Sequence, residues 1–285
     1  MREGWQRIGH SRTSRWRMVT GAKELSGPRI PDSLSTAYAT WTWTVESGYP
    51  PYSVIFRLTS PAGEFRFLKV TEHGFTPTAE EEVRRLRWAK SYITVPEVLE
   101  TDRDAWCTWF VTSAMKGRSA IDPSFRDNIP GLLSLFAGGL REFHQMPVAE
   151  CPFQFRISDA LRAAKERLAR GRINAEKEFH EEHARLTPEK AIEQLLRTRP
   201  ATEDLVVCHG DYCFPNVFFE HGRIAGYVDL GELGVADRWW DLAVASWSIT
   251  WNLGVGHEEE FLAAYGVDPD PERIPFYRLL YDVVS

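Results

Sequence analysis

"DLVVCHGDYCFPN", Asp204 to Asn216, and the "VFFEHGRIAGYVDLG" that follows it, Val217 to Gly231, decide the fold. A β-branched run, Val206-Val207, leads straight into His209-Gly210-Asp211, and an amide side chain follows at Asn216. Beyond it, two strand-like runs meet at His221-Gly222, which predicts a two-residue hairpin turn. With Glu220 opposite Arg223, Asn216 falls opposite Tyr227, and Asp229 stands two residues beyond that partner. The open end of the hairpin therefore gathers an amide oxygen and a carboxylate.

Mg²⁺ prefers hard oxygen ligands and is usually held by one or two protein groups plus substrate phosphates, so this pair points to a nucleotide rather than a closed metal cage. Asp211, just upstream, suits the acceptance of a hydrogen bond from an attacking hydroxyl that must be aligned with a γ-phosphate, as in kinase phosphoryl transfer. D-x-x-x-x-N at Asp211 and Asn216, then D-x-G at Asp229 and Gly231, repeat the order of the catalytic and metal-binding loops of kinases. Asp211 is the candidate catalytic base; Asn216 and Asp229 are the candidate metal ligands.

The nucleotide side is sought upstream. "SVIFRL" and "EFRFLKV", separated by "SPAG", predict a β-hairpin between Tyr52 and Val70. In the second run Phe67 and Lys69 share one face while Arg66, Leu68 and Val70 share the other, so an aromatic ring and an ammonium are offered together to a base and its phosphates. "TPTAEEEVRRLRWAK" then predicts a helix, opened by Thr78 and Glu81 at capping-box spacing. Glu82 shares a stripe with Leu86 and Ala89, so its carboxylate borders the buried face and requires a cationic partner, with Lys69 the best candidate. Glu80 and Glu81 remain alternatives. "ESGYPPYS", Glu46 to Ser53, takes the place of a phosphate-covering loop, although it holds a single glycine.

The rest of the chain sets the frame. Its 285 residues, 43% apolar, suffice for one large or two modest cores. The net charge of −6 gives no reason to expect a nucleic-acid partner and mildly favours a cationic substrate. No apolar run reaches the roughly 18 to 20 residues of a membrane span. Cys107, Cys151, Cys208 and Cys213 form neither a CxxC pair nor a zinc pattern, and no signal core opens the chain, which predicts a cytoplasmic setting. Residues 1–30 are basic and show neither period, and are expected to be a disordered tail, with Met18 an alternative start to Met1.

A β-rich N-terminal lobe is expected over residues 31–113, with one helix, and a helical lobe over 114–285, the hinge lying near Ser113 to Gly117. Helices are predicted at Leu132–Gln145, Ser158–Arg170, Pro188–Arg197, Asp237–Leu253 and Glu258–Tyr265. Neither repeats nor low-complexity segments interrupt them.

With "DLVVCHGDYCFPN", "GYVDLGELGVADRWWDLA", "RFLKV", "VPEVLE", "EEHARL" and "FYRLLYD" in place, the chain resembles the aminoglycoside phosphotransferase family over roughly residues 45 to 285, in particular the aminoglycoside 3′-phosphotransferases. The resemblance implies an α+β, bilobal, protein-kinase-like fold and ATP-dependent transfer of a γ-phosphate to an aminoglycoside hydroxyl, most directly the 3′-hydroxyl, as an antibiotic-resistance activity. ATP and Mg²⁺ are the implied cofactors, and GTP is not distinguished from ATP. Carried over by position, Lys69 and Glu82 form the donor-side pair, Ser113 and Met115 meet adenine through backbone groups, and Asp237 braces the catalytic loop, with His209 also structural. Glu178, Glu181 and Asp282 match the family's substrate-facing carboxylates. Trp247, Trp251 and Asn252 stand where the family has polar or acidic substrate-side residues, and Glu232 where it usually has arginine. A kinase of a less charged metabolite or a macrolide, and a kinase-like nucleotide-binding regulator without turnover, are the competing readings. A protein kinase is disfavoured, because the chain lacks both G-x-G-x-x-G and an Ala-Pro-Glu segment after the Asp-Leu-Gly. Oligomeric state is not legible.

Overall fold

The computed structural model describes residues 4–8, 14–20, 23–49 and 52–284, with side chains from Arg29 onward except those of Tyr49 and Lys177. Two compact units divide the chain between Met115 and Lys116.

The first unit holds strands β1 (Gly4–Ile8), β2 (Ser14–Thr20), β3 (Lys23–Ile30), β4 (Thr42–Tyr49), β5 (Ser53–Thr59), β6 (Phe65–Glu72), β7 (Val98–Arg103) and β8 (Cys107–Ser113), with helices α1 (Asp32–Ala37) and α2 (Ala79–Ala89). Five of the strands form an antiparallel sheet in the order β4-β5-β6-β8-β7. Its register follows from the alternation on β6: Leu68 and Val70 are buried with Val54, Phe56, Leu58 and Val111, while Phe67 and Lys69 on the other face are only partly buried.

Ten residues of the expected tail, 1–3, 9–13 and 21–22, lie outside the described residues. Where its backbone is described, it is extended and pairs as β1-β2-β3. At its end Ile30 is buried with Leu34 and Tyr38 of the α1 segment, so apolar packing reaches upstream of the predicted lobe boundary at 31. The expected phosphate-covering loop over 46–53 is partly strand, since Glu46–Tyr49 belong to β4 and Ser53 to β5; Pro50 and Pro51 lie outside the described residues.

The second unit contains strands β9 (Arg118–Ser119), β10 (Leu205–Cys208), β11 (Val217–Glu220), β12 (Arg223–Tyr227) and β13 (Gly234–Asp237). Its helices are α3 (Ile129–Phe143), α4 (Ile157–Ala169), α5 (Ala175–Glu178), α6 (Pro188–Thr198), α7 (Arg238–Leu253), α8 (Glu258–Tyr265) and α9 (Arg273–Val284). The five predicted helices match α3, α4, α6, α7 and α8 to within three residues at each end. α9 was not among them; it buries Phe276, Tyr277, Leu279, Leu280 and Val283. Two small antiparallel sheets, β10-β13 and β12-β11-β9, carry the loops of interest. No described helix is long and apolar enough to cross a membrane.

Candidate active site

The quoted segment folds as its residue types require. β10 ends in buried Cys208, and Gly210 follows with φ of +91°, where a Cβ would sit 2.5 Å from the Glu232 Cβ and 2.8 Å from its carbonyl oxygen. Only glycine satisfies both the backbone conformation and that approach. His209 is fully buried; its Nδ1 accepts from the Asp211 amide (3.3 Å), so its proton resides on Nε2, which donates to the Val228 carbonyl (3.1 Å). One imidazole thus ties the loop of Asp211 to the strand end that leads into Asp229.

Asn216 closes the loop. Its Nδ2 donates to the Asp211 carbonyl (3.0 Å) and to Asp211 Oδ2 (2.9 Å), and Tyr281 donates its hydroxyl to Asp211 Oδ1 (3.2 Å). Both carboxylate oxygens of Asp211 are therefore oriented. Burial and the negative charge of Asp229 push the Asp211 carboxyl above the usual range, against the opposing influence of His209, Tyr281 and Asn216.

The hairpin turn at His221 and Gly222 has φ of +52° and +72°, both positive as a type I′ turn demands. Glu220 pairs with Arg223 as predicted, but a bulge between Phe218 and Phe219 shifts the register, so Val217 faces Tyr227 and the Asn216 carbonyl accepts from the Val228 amide (3.0 Å). Asp229 thus lies one residue, not two, beyond the residue opposite Asn216. It has φ of +58°, a left-handed conformation uncommon outside glycine and a kind of strain that concentrates at functional sites.

An Mg²⁺ ion fits this set. The Asn216 amide nitrogen is committed to Asp211, which leaves its Oδ1 as the ligand atom, and Asp229 adds a carboxylate, so the donors are the hard oxygens that this ion takes.

The brace of this loop is Asp241, not Asp237. Fully buried Asp241 accepts from the His209 amide (2.7 Å) and the Gly210 amide (2.9 Å), and also meets His144 Nε2 (3.1 Å). Trp240 donates its indole N–H to the Gly210 carbonyl (2.7 Å). Asp237 instead caps α7 at the Trp239 amide (3.1 Å) and takes Arg273 (3.1 Å) and Tyr277 (2.8 Å). The signal for Asp241 is a carboxylate inside "WWDLAVA", which cannot be buried without donors.

In the first unit, Lys69 Nζ pairs with Glu82 Oε2 at 2.7 Å, and Glu82 is only 3% exposed. The alternatives have other roles: Glu81 completes the capping box with Thr78, and Glu80 meets Arg103 at 3.3 Å. Lys69→Ala removes the ammonium from a buried carboxylate and is expected to destabilise this unit by about 3 kcal/mol. Chemical denaturation checks it, with Glu80→Gln as a neutral control. The Ser113 amide donates to the Glu97 carbonyl (2.9 Å), and Met115 is half-buried at the end of the unit.

Two of the three predicted substrate carboxylates have protein partners. Glu178 takes Arg167 (3.1 Å) and the Asn174 amide (3.1 Å). Asp282, fully buried, accepts from the His180 amide (3.0 Å), from His180 Nδ1 and from His183 Nδ1 (2.6 Å). Burial pushes its carboxyl up, but the histidine hydrogen bonds outweigh that and hold it below the usual range. Glu181 is exposed. Sequence reasoning passed over Tyr281 and His180, whose partners come from distant segments.

Residues 46–277 match the model of a family described as the phosphotransferase enzyme family. The chain is 36% identical over 208 residues to an aminoglycoside 3′-phosphotransferase of Streptomyces fradiae, covering 70% of this chain and 77% of that one. It is 33% identical over 263 residues to one from Streptomyces ribosidificus, covering 88% and 98%. Among solved structures, an aminoglycoside-3′-phosphotransferase of type VIII superposes with a TM-score of 0.80 at 31% identity, covering 88% of this chain and 97% of that one. The aminoglycoside phosphotransferase APH(3″)-Id of Streptomyces rimosus, in complex with ADP and streptomycin, gives 0.72 at 26%, covering 89% and 98%. An α+β, protein-kinase-like chain with a β-rich N-terminal unit and a helical C-terminal one, it belongs to the phosphotransferase enzyme family.

Proposed function

We propose that this chain transfers the γ-phosphate of ATP to a hydroxyl of an aminoglycoside, most directly a 3′-hydroxyl, and so confers resistance. The observation that carries the reading is the Asp211–Asn216 loop. One amide holds the carboxylate by its nitrogen and keeps its oxygen for a cation, and the negative charge of Asp229 helps to raise the Asp211 carboxyl. Relatives named aminoglycoside 3′-phosphotransferase support the acceptor class.

Each residue has a separate task. Asp211 accepts the hydrogen bond of the attacking hydroxyl and takes its proton as that oxygen bonds to the γ-phosphorus and the bond from phosphorus to the β,γ-bridging oxygen breaks, releasing ADP. Tyr281 and Asn216 fix the direction of that carboxylate. Asn216 Oδ1 and Asp229 hold Mg²⁺, which when bound with the nucleotide neutralises charge on the β- and γ-phosphates. Lys69, oriented by Glu82, binds the α/β-phosphates; Phe67, Ser113 and Met115 meet the base; and exposed Glu181 attracts the cationic acceptor.

³¹P NMR of the purified protein with Mg·ATP and, in turn, kanamycin, neomycin, streptomycin and hygromycin B tests this reading. A new phosphomonoester resonance with at least one acceptor is expected. ATP hydrolysis alone, or no reaction with any of the four, contradicts it.

A further inference from the structure

The Tyr281 hydroxyl that holds Asp211 belongs to an aromatic cluster drawn from three separate segments. The Tyr281 ring lies 6.2 Å from Trp247 and 6.5 Å from His180 between centroids. His180 in turn stacks on Trp251 at 4.6 Å and 15°, and packs on Trp247 at 4.2 Å. Trp247 is 3% exposed and fills the interior, whereas Trp251, in the last turn of α7, is 53% exposed.

A large indole with half its surface open, joined to the candidate base through two ring contacts, is a surface without an internal partner for its outer face. Buried Asp282 holds His180 beneath it by two hydrogen bonds, one to its backbone amide and one to its ring Nδ1, which orients the ring. Three of the four acids around it are engaged, Asp282 by His180 and His183, Glu178 by Arg167, and Glu182 by Arg278 (3.3 Å) and His183 (3.3 Å), and Glu181 is exposed.

We infer that Trp251 is a specificity-determining residue that stacks on a sugar ring of the acceptor, and that the site favours acceptors with few ammonium groups over polyammonium ones. The inference deepens the proposed function and rests on it. An indole face gains from contact with the apolar face of a ring, while a polycation needs several free carboxylates to offset its desolvation.

Steady-state kinetics on the best acceptor of the four, with Trp251→Ala, Trp251→Phe and Trp251→Glu, test it. Trp251→Ala is expected to raise the acceptor KM about tenfold while kcat and the ATP KM stay unchanged, and Trp251→Phe to remain near wild type. Trp251→Glu should shift relative kcat/KM toward neomycin by about tenfold, as an added carboxylate repays an ammonium. Thermal melts confirm that the variants fold. An unchanged acceptor KM in Trp251→Ala, or a fall in kcat alone, overturns the inference. Saturation-transfer NMR of the same four compounds with ADP present separates the two claims. If wild type binds an acceptor through Trp251 without phosphorylating it, the proposed function falls and the platform stands; if none binds, both fall.

Discussion

Asp211→Asn is expected to lower turnover by about 10²- to 10⁴-fold, the range for loss of a general base, while Mg·ATP binding changes little. The amide preserves the size of the side chain and cannot take a proton. Its own nitrogen would face Asn216 Nδ2 or the Tyr281 hydroxyl, both of which donate to the carboxylate in the native protein. The loop keeps its shape by other means: the His209 and Gly210 amides still end on Asp241, and His209 Nδ1 still accepts the amide of residue 211. The loss therefore appears in kcat with a smaller change in the nucleotide KM. Quench-flow turnover and calorimetric titration of Mg·ATP measure the two separately. Near-native turnover would remove Asp211 from the role of base.

Asp241→Ala carries the largest expected loss of stability, about 3 to 5 kcal/mol, enough to consume much of the reserve of a typical domain. Three donors converge on this fully buried carboxylate: two successive loop amides and, on the same oxygen as the first, His144 Nε2. Alanine strands the amides where no water reaches them. Asp241→Asn restores one acceptor and turns an N–H₂ toward the others, so it recovers only part of the loss. Denaturant titration orders the variants as wild type, Asn, Ala. The same measurement on Asp237→Asn separates this brace from the cap of α7, since Asp237 touches neither loop amide. An Asp241→Ala variant as stable as wild type would show that the loop does not depend on it.

The sequence made the local chemistry of the site legible and left its long-range partners obscure. The type I′ turn at His221-Gly222, the capping box at Thr78 and Glu81, and the face shared by Phe67 and Lys69 are set by neighbours within a few residues, and all three occur in the structure. The predicted register beyond the turn slipped by one because the bulge at Phe218/Phe219 has no mark in residue type. Asp237 and Asp241 are one helical turn apart, and only the position of α7 against β10 decides which carboxylate meets the loop amides. Tyr281 and Asp282 differ similarly: adjacent residues on α9 point about 100° apart, and the acid, a natural partner for a cation, faces inward to two histidines while the phenol reaches Asp211.

The division of labour between base and metal ligands is tested most directly by replacing Mg²⁺ with Mn²⁺ and recording the electron paramagnetic resonance of bound Mn²⁺ with ATP. Wild type and Asp211→Asn should show the bound signal at similar Mn²⁺ affinity, while Asn216→Ala and Asp229→Ala should weaken it at least tenfold, the effect of losing one ligand from a small oxygen set. Loss of the signal in Asp211→Asn with retention in Asp229→Ala would contradict the assignment.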